Sequence, residues 1–365
     1  MKKVKYNENC LFIGRFACGD VVSDGQTVKT EMIYRHVKSE NTFRKCRIIN
    51  TAKWKKSPFK LALLSVIAIL RSETIILTIA LNGMKFYFPL LLFISKIKSK
   101  KIYHFVIGGD IVENIKNNDK LLKYLKLFNA NYVELKKMRI DLENLGLTNC
   151  RVIPNFKLLN IVNDDEVEKT FQKPYPVCTF SRISEDKGIA DAISAVTKLN
   201  EDRGEIIYEL TLYGLPYSGY EKTFQSMIEQ FPSYVHYGGV IDFTETSEVL
   251  KEYYLLLFPT YHKGEGFAGT LIDAFSAGLP IIATDWNYNA SIIKEGVTGK
   301  LFDAHDISAL VEILEYFESH PNDALQMRRN CMLEAQNYSP NKALEPFYED
   351  LKLYNQHSND KHISR

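Results

Sequence analysis

Short apolar runs of strand length alternate with helical patterns along the whole of this 365-residue chain, and that alternation is the strongest constraint on its fold. Residues 10–15, 46–51, 74–80, 101–107, 132–134 and 150–153 read as strands, with helical patterns at 26–37, 60–70, 86–98, 120–128 and 135–145 between them. A second series has strands at 176–181, 206–213, 234–237, 254–258 and 280–284, and closes on helices at 307–319, 322–338 and 341–354. Alternation of this kind makes parallel sheets, whose strands are buried on both faces under crossover helices. The chain is too long for one ordinary core, so two domains of roughly 150–200 residues are expected. We place the first at 1–160, completed by a terminal helix at about 340–356. A polar linker follows at 161–174, then a second domain at 175–339 and a frayed tail at 357–365. The expected class is α/β: two doubly wound, Rossmann-like domains facing across a cleft, with ligands at the carboxyl ends of the strands.

A net charge of +2 conceals an uneven distribution. Residues 1–160 carry 29 Lys and Arg against 12 Asp and Glu, and the remainder carry 17 against 32. The basic excess concentrates at Arg44–Arg47, Lys53–Lys56, Lys60 and Lys96–Lys101, beside very apolar stretches at 61–70 and 86–95. Interleaved Trp54, Phe59, Phe86, Tyr87, Phe88 and Phe93 favour an anionic membrane surface over nucleic acid as the partner of this half. No apolar run approaches the ~18–20 residues that cross a bilayer. Six cysteines are scattered without a C-x-x-C pair or a Cys/His cluster, which suits reduced thiols in a cytoplasmic protein and predicts no metal site.

The chemistry concentrates in residues 263–285. Glu265 lies in a glycine-broken loop, Gly266, Phe267 and Ala268 follow, and a helix opens at Gly269 or Thr270. Asp273 falls eight positions after Glu265, in about the first turn; the helix closes at Gly278, and a strand runs from Pro280 to Asp285. Free N–H groups and the positive dipole end of a helix attract an anion, and glycines let backbone approach it. Asp273 could then accept hydrogen bonds from a sugar diol. Earlier, a strand ends into Ser181-Arg182-Ile183-Ser184-Glu185-Asp186-Lys187-Gly188 and a helix follows. The guanidinium fork of Arg182 and the point charge of Lys187 suit a diphosphate, with a local salt-bridge cluster involving Glu185 and Asp186 as the competing reading.

These motifs resemble a retaining glycosyltransferase of family 4, of the two-Rossmann-domain GT-B type. Glu265-(seven residues)-Asp273 resembles that family's E-x7-E motif, and Arg182 and Lys187 resemble its diphosphate-binding pair. Val240 in His236-Tyr237-Gly238-Gly239-Val240 resembles the loop that meets the base, and 296–302 resembles a family signature. The likeness spans nearly all of 175–338 and is weaker over 1–160. There Ser23-Asp24-Gly25-Gln26-Thr27 is similar to the loop near the donor phosphates, Gly108-Gly109-Asp110 lies where the family often has a sugar-contacting His, and Asn155 resembles a hinge residue.

The resemblance implies that Arg182 and Lys187 stabilise the leaving diphosphate and that Glu265 holds donor-sugar hydroxyls. Asp273 would hold the ribose, and Gly25, Gln26, Val240 and residues 266–270 would complete the donor site. It implies no metal, because Arg, Lys and a helix dipole replace the divalent ion. A nucleotide-diphosphate sugar would be the donor, UDP favoured over GDP. The acceptor would be a lipid-linked glycan of a bacterial surface polysaccharide, reached at the inner face of the cytoplasmic membrane. Asp273 departs from the usual Glu, and His104 sits within a strand, as a core histidine would, so the usual His has no counterpart. A nucleotide-sugar epimerase, a soluble disaccharide synthase and a non-catalytic nucleotide-sugar-binding subunit remain open as alternatives.

Overall fold

A computed structural model describes residues 5–17, 25–52, 54–242 and 244–363, with side chains to residue 354. The chain divides into two units, Met1–Lys157 with Pro340–Arg365, and Leu158–Ser339. The first unit runs β1 (Tyr6–Gly14), α1 (Gly25–Ser39), β2 (Phe43–Asn50), α2 (Pro58–Leu70), β3 (Thr74–Thr78) and α3 (Leu81–Ile97). It continues through β4 (Lys101–Phe105), α4 (Ile111–Lys116), α5 (Asp119–Leu125), β5 (Ala130–Val133), α6 (Lys136–Asn144) and β6 (Cys150–Val152). The second unit runs α7 (Asp164–Val167), β7 (Tyr175–Phe180), α8 (Ile189–Arg203), β8 (Tyr208–Tyr213), α9 (Glu221–Ile228), β9 (Val235–Gly239) and α10 (Thr246–Leu250). Then come β10 (Leu255–Phe258), α11 (Gly269–Ser276), β11 (Ile281–Thr284), β12 (Gly299–Phe302), α12 (Ile307–Ser319) and α13 (Pro321–Ala335). Finally α14 (Pro340–Ala343) and α15 (Glu345–Ile363) belong to the first unit.

Each unit holds one six-stranded sheet, ordered β2-β1-β3-β4-β5-β6 in the first and β12-β11-β10-β7-β8-β9 in the second. The strand pairs of both sheets are parallel. The uninterrupted apolar stretches explain this. β3 and β10 are buried at every position, as strands covered on both faces must be. The helices supply the covering stripes: on α8, Ile189, Ala192, Ala195, Val196 and Leu199 recur at helical spacing and enter the core. In the first unit Lys29 of α1 is buried. Its ammonium donates to Glu134 Oε1 at 2.6 Å and to the Val106 carbonyl at 2.9 Å, which fastens α1 over the carboxyl ends of β4 and β5.

Four details differ from the sequence reading. The expected linker at 161–174 is part of the second unit: Asn163 and Glu166 form a capping box on α7, and Val162 and Val167 are buried. The buried Arg328 guanidinium donates to the Val167 carbonyl at 3.1 Å, a tether from 161 residues away that no local pattern announces. The expected helix at 341–354 is broken, because Pro346 lacks an N–H and restrains Glu345, so α14 cannot run into α15. Helical backbone also continues to Ile363 where a frayed tail was expected, and β12, four residues long at the sheet edge, escaped the strand reading.

Candidate functional site

In the second sheet the chain proceeds outward from β7 through β8 to β9, then crosses back to β10 on the other side of β7. The carboxyl ends of β7 and β10 therefore flank the topological switch point, where open α/β sheets bind ligands. The loop after β7 carries Arg182 and Lys187, and the loop after β10 carries Glu265. Hydrogen bonds to main-chain carbonyls hold the loops together. Tyr261 N–H donates to the Asp186 carbonyl at 2.9 Å, and Thr270 Oγ1, at the start of α11, donates to the Phe180 carbonyl at 2.9 Å. Gly188 begins α8 at φ +67°, and a Cβ there would lie 2.0 Å from the Pro259 carbonyl oxygen. Only glycine permits both the left-handed conformation and the approach.

Across this seam the Lys187 ammonium donates to Glu265 Oε2, with both side chains at least 86% buried. Thr260 Oγ1 donates to the same oxygen at 3.0 Å. Glu265 Oε1 has no hydrogen-bond partner among the described residues, so an acceptor for a hydroxyl remains in place. The glycine-broken loop is braced from the neighbouring strand. After β11, Asn287 at φ +50° donates from Nδ2 to the carbonyls of Lys263 at 3.0 Å and His262 at 3.2 Å, and Trp286 Nε1 donates to the His262 carbonyl at 3.0 Å. Beside the pair, His262 Nδ1 and Asp186 Oδ2 lie 2.5 Å apart, and Ser184 Oγ donates to Asp186 Oδ1 at 2.5 Å. Burial alone would raise the Asp186 carboxyl; the hydrogen bonds from Ser184 and His262 outweigh it and hold the group below the ordinary carboxylate value.

The structure thus unites Lys187 and Glu265, and places the other sequence candidates around them with differing fidelity. Arg182 is exposed and lies over the Tyr217 ring at 5.5 Å from its centroid. Asp186 pairs with His262 and accepts from Ser184, while Lys187 pairs with Glu265. Helix α11 begins at Gly269 as expected, no side chain caps it, and Gly266, Phe267 and Ala268 lead into it. Asp273 is its fifth residue, at the end of the first turn as expected, and is buried. Phe267 is also buried, edge-on to the Tyr338 ring at 5.0 Å, so it anchors the loop by packing. Val240, just past β9, is 46% exposed.

In the first unit, Gly25 opens α1 and Gln26 Nε2 donates to the Thr78 carbonyl at the end of β3, at 3.1 Å. Ser23 and Asp24 lie outside the described residues. Gly108, at φ +86°, with Gly109 and Asp110 forms the turn between β4 and α4. His104 is fully buried in β4 against Asn131, as a core histidine, and burial pulls its pKa down to about 4. Sequence reasoning passed over Thr260, Asn287 and the bond between His262 and Asp186. A buried threonine at a strand's carboxyl end and an Asn after the next strand are the signals that could have found the first two.

Residues 161–333, just under half of the chain, match the family model described as Glycosyl transferases group 1. Over 133 residues the chain is 29% identical to the GtfA subunit of the UDP-N-acetylglucosamine–peptide N-acetylglucosaminyltransferase of Streptococcus pneumoniae, covering 36% of this chain and 25% of the relative. Over 228 residues it is 24% identical to an uncharacterised glycosyltransferase of Methanocaldococcus jannaschii, covering 56% of each. The chain therefore spans between a quarter and just over half the length of these relatives. Among solved structures, Anabaena HepE in complex with UDP-glucose superposes with a TM-score of 0.71 at 14% identity, over 95% of this chain and 100% of that one. At that identity the likeness concerns the fold, which is GT-B: two Rossmann-like units.

Proposed function

We propose that the chain is a retaining, family 4 glycosyltransferase that moves a sugar from a nucleotide-diphosphate sugar to a lipid-linked glycan acceptor in bacterial surface-polysaccharide assembly. The observation that carries the reading is the buried Lys187–Glu265 pair at the carboxyl ends of β7 and β10, beside the uncapped start of α11. The match of residues 161–333 to group 1 glycosyl transferases and the fold of HepE, solved with UDP-glucose, support the reaction class and a UDP-sugar donor.

In this mechanism the donor diphosphate lies over the N–H groups that open α11. Lys187, held by one bond to Glu265, has two N–H bonds left for phosphate oxygens, and Arg182 adds a second cation. As the bond from the anomeric carbon to the phosphate oxygen breaks, charge grows on the diphosphate, and fixed cations and helix dipole stabilise it without reorganisation. Glu265 Oε1 takes a hydroxyl of the donor sugar, Asp273 the ribose, and Val240 completes the donor contacts of this unit. Attack comes from the same face that the leaving group departs, and a donor phosphate oxygen takes the acceptor's proton. These side chains carry the electrostatic work, so we propose that no divalent metal is needed. The enzyme works on the cytoplasmic side of the membrane that carries its acceptor.

The test is transfer and donor hydrolysis by the wild type, Glu265→Gln and Lys187→Ala, each checked for folding and assayed with and without EDTA. Losses of about 100-fold or more in both variants, with EDTA without effect, are expected, on the scale of removing one preorganised stabilising group. Undiminished turnover in both variants would defeat the assignment.

A further inference from the structure

Helix α2 has the sequence Pro-Phe-Lys-Leu-Ala-Leu-Leu-Ser-Val-Ile-Ala-Ile-Leu, yet only Ser65 and Ile69 are buried in it. Its outward stripe is apolar: Phe59 is 86% exposed, Leu63 63%, Leu64 46%, Leu70 41% and Ile67 36%. A soluble surface helix has the reverse arrangement, and one that is apolar all round belongs in a core or in lipid. Helix α3 repeats the pattern, with Phe86, Phe93 and Ile97 exposed while Tyr87 and Phe88 are buried. The helices adjoin, because Ser65 Oγ and Tyr87 Oη lie 3.0 Å apart and Lys98 reaches the Leu70 carbonyl at 3.3 Å. Trp54, 52% exposed, sits in the 3₁₀ turn just ahead of α2.

We infer that α2 and α3 form a docking face that lies in the surface of an anionic phospholipid bilayer. Charge selects this occupant. Residues 54–101 contain nine Lys and Arg and one acid, Glu73, whose carboxylate accepts from the Asn9 N–H. Lys55, Lys56, Lys60, Arg71, Lys85 and Lys96 are all exposed around the apolar stripes. A second copy that covered this surface with the same face would bring these cations against their own kind, whereas anionic headgroups neutralise them. The geometry agrees. No helix of the described residues is long and apolar enough to cross a membrane, and a 13-residue helix spans about 20 Å, so α2 lies along the surface with Lys60 and the flanking Lys55, Lys56 and Arg71 at headgroup level. The inference deepens the reading of a lipid-linked acceptor, and it rests on exposure and charge in the first unit alone.

The experiment is co-sedimentation of the full chain with phosphatidylcholine vesicles and with vesicles containing phosphatidylglycerol, for the wild type, Leu63→Glu/Ile67→Glu and Lys55→Glu/Lys56→Glu. Both pairs are exposed and outside the donor machinery, so donor hydrolysis without vesicles is unchanged and separates failure here from failure of the transferase reading. The wild type is expected to bind the anionic vesicles at least about tenfold better than neutral ones, and Leu63→Glu/Ile67→Glu to lose at least about tenfold. Lys55→Glu/Lys56→Glu keeps weak neutral binding and loses the anionic preference. A wild type left in the supernatant with anionic vesicles, or a variant that binds as well, overturns the inference. So does a vesicle-free dimer that Leu63→Glu/Ile67→Glu dissociates, which would make a second copy the occupant.

Discussion

Replacing Gly188 by alanine tests the seam that unites Lys187 with Glu265. Two costs arise there. Gly188 has φ +67°, and a side chain in the left-handed region costs about 1–2 kcal/mol. The new Cβ would also lie 2.0 Å from the Pro259 carbonyl oxygen, about 1.4 Å inside the 3.4 Å at which ordinary contact begins. The obstacle is backbone, so the loop after β7 and the loop after β10 must separate by more than 1 Å. A misplacement of about 1 Å at a reacting centre can cost roughly 100-fold in rate. Gly204 closes the same helix α8 at φ +64° with nothing within 4 Å of a built Cβ, and so isolates the first cost. Urea denaturation and sugar-transfer kinetics of both variants separate the two. Gly204→Ala should lose about 1–2 kcal/mol of stability and keep wild-type kcat/KM. Gly188→Ala should lose more stability and about 100-fold or more in kcat/KM. Equal effects in the two variants, or near-normal turnover by Gly188→Ala, would refute the claim that this contact sets the site.

Further outcomes follow from the same structure. Arg328 is buried, its pKa lowered to about 10 by burial, and it donates to the carbonyls of Val167 and Tyr253 at 3.1 and 3.0 Å. Arg328→Met strands these acceptors while relieving a desolvated cation, so a net loss of about 2–4 kcal/mol is expected in urea denaturation. His104 should make the first unit acid-sensitive. Its folded pKa of about 4 lies below the ordinary 6.5, so stability is full above the unfolded value and is lost as pH falls from 6.5 toward 4. The loss amounts to about 3 kcal/mol, and His104→Gln should flatten that part of the pH profile. Asp273→Ala should raise the donor KM by about 10–100-fold with a smaller change in kcat, read from initial rates, if its carboxylate holds the ribose.

The sheet framework was legible because strands buried on both faces must be apolar throughout, as Thr74–Thr78 and Leu255–Phe258 are. Gly269 as the start of α11 could be read from the glycine-broken loop before it. The bond from Lys187 to Glu265, whose carboxylate Thr260 also holds, joins loops 78 residues apart, and only the strand order brings those loops together. The same holds for Arg328, whose tether turns an apparent linker into part of the second unit. On α2 the sequence announced an apolar, basic segment, but which residues face outward depends on what the sheet leaves uncovered.

Thermal unfolding of the wild type and of Lys187→Ala against a panel of nucleotide-diphosphate sugars tests the central claim most directly, since a ligand that binds only the folded state raises its melting point. At a concentration about 100-fold above Kd, a UDP-sugar should add about 2.7 kcal/mol to the wild type, several degrees in Tm, and far less to the variant. A folded wild type that no nucleotide sugar stabilises, or a variant stabilised as strongly, would contradict the account.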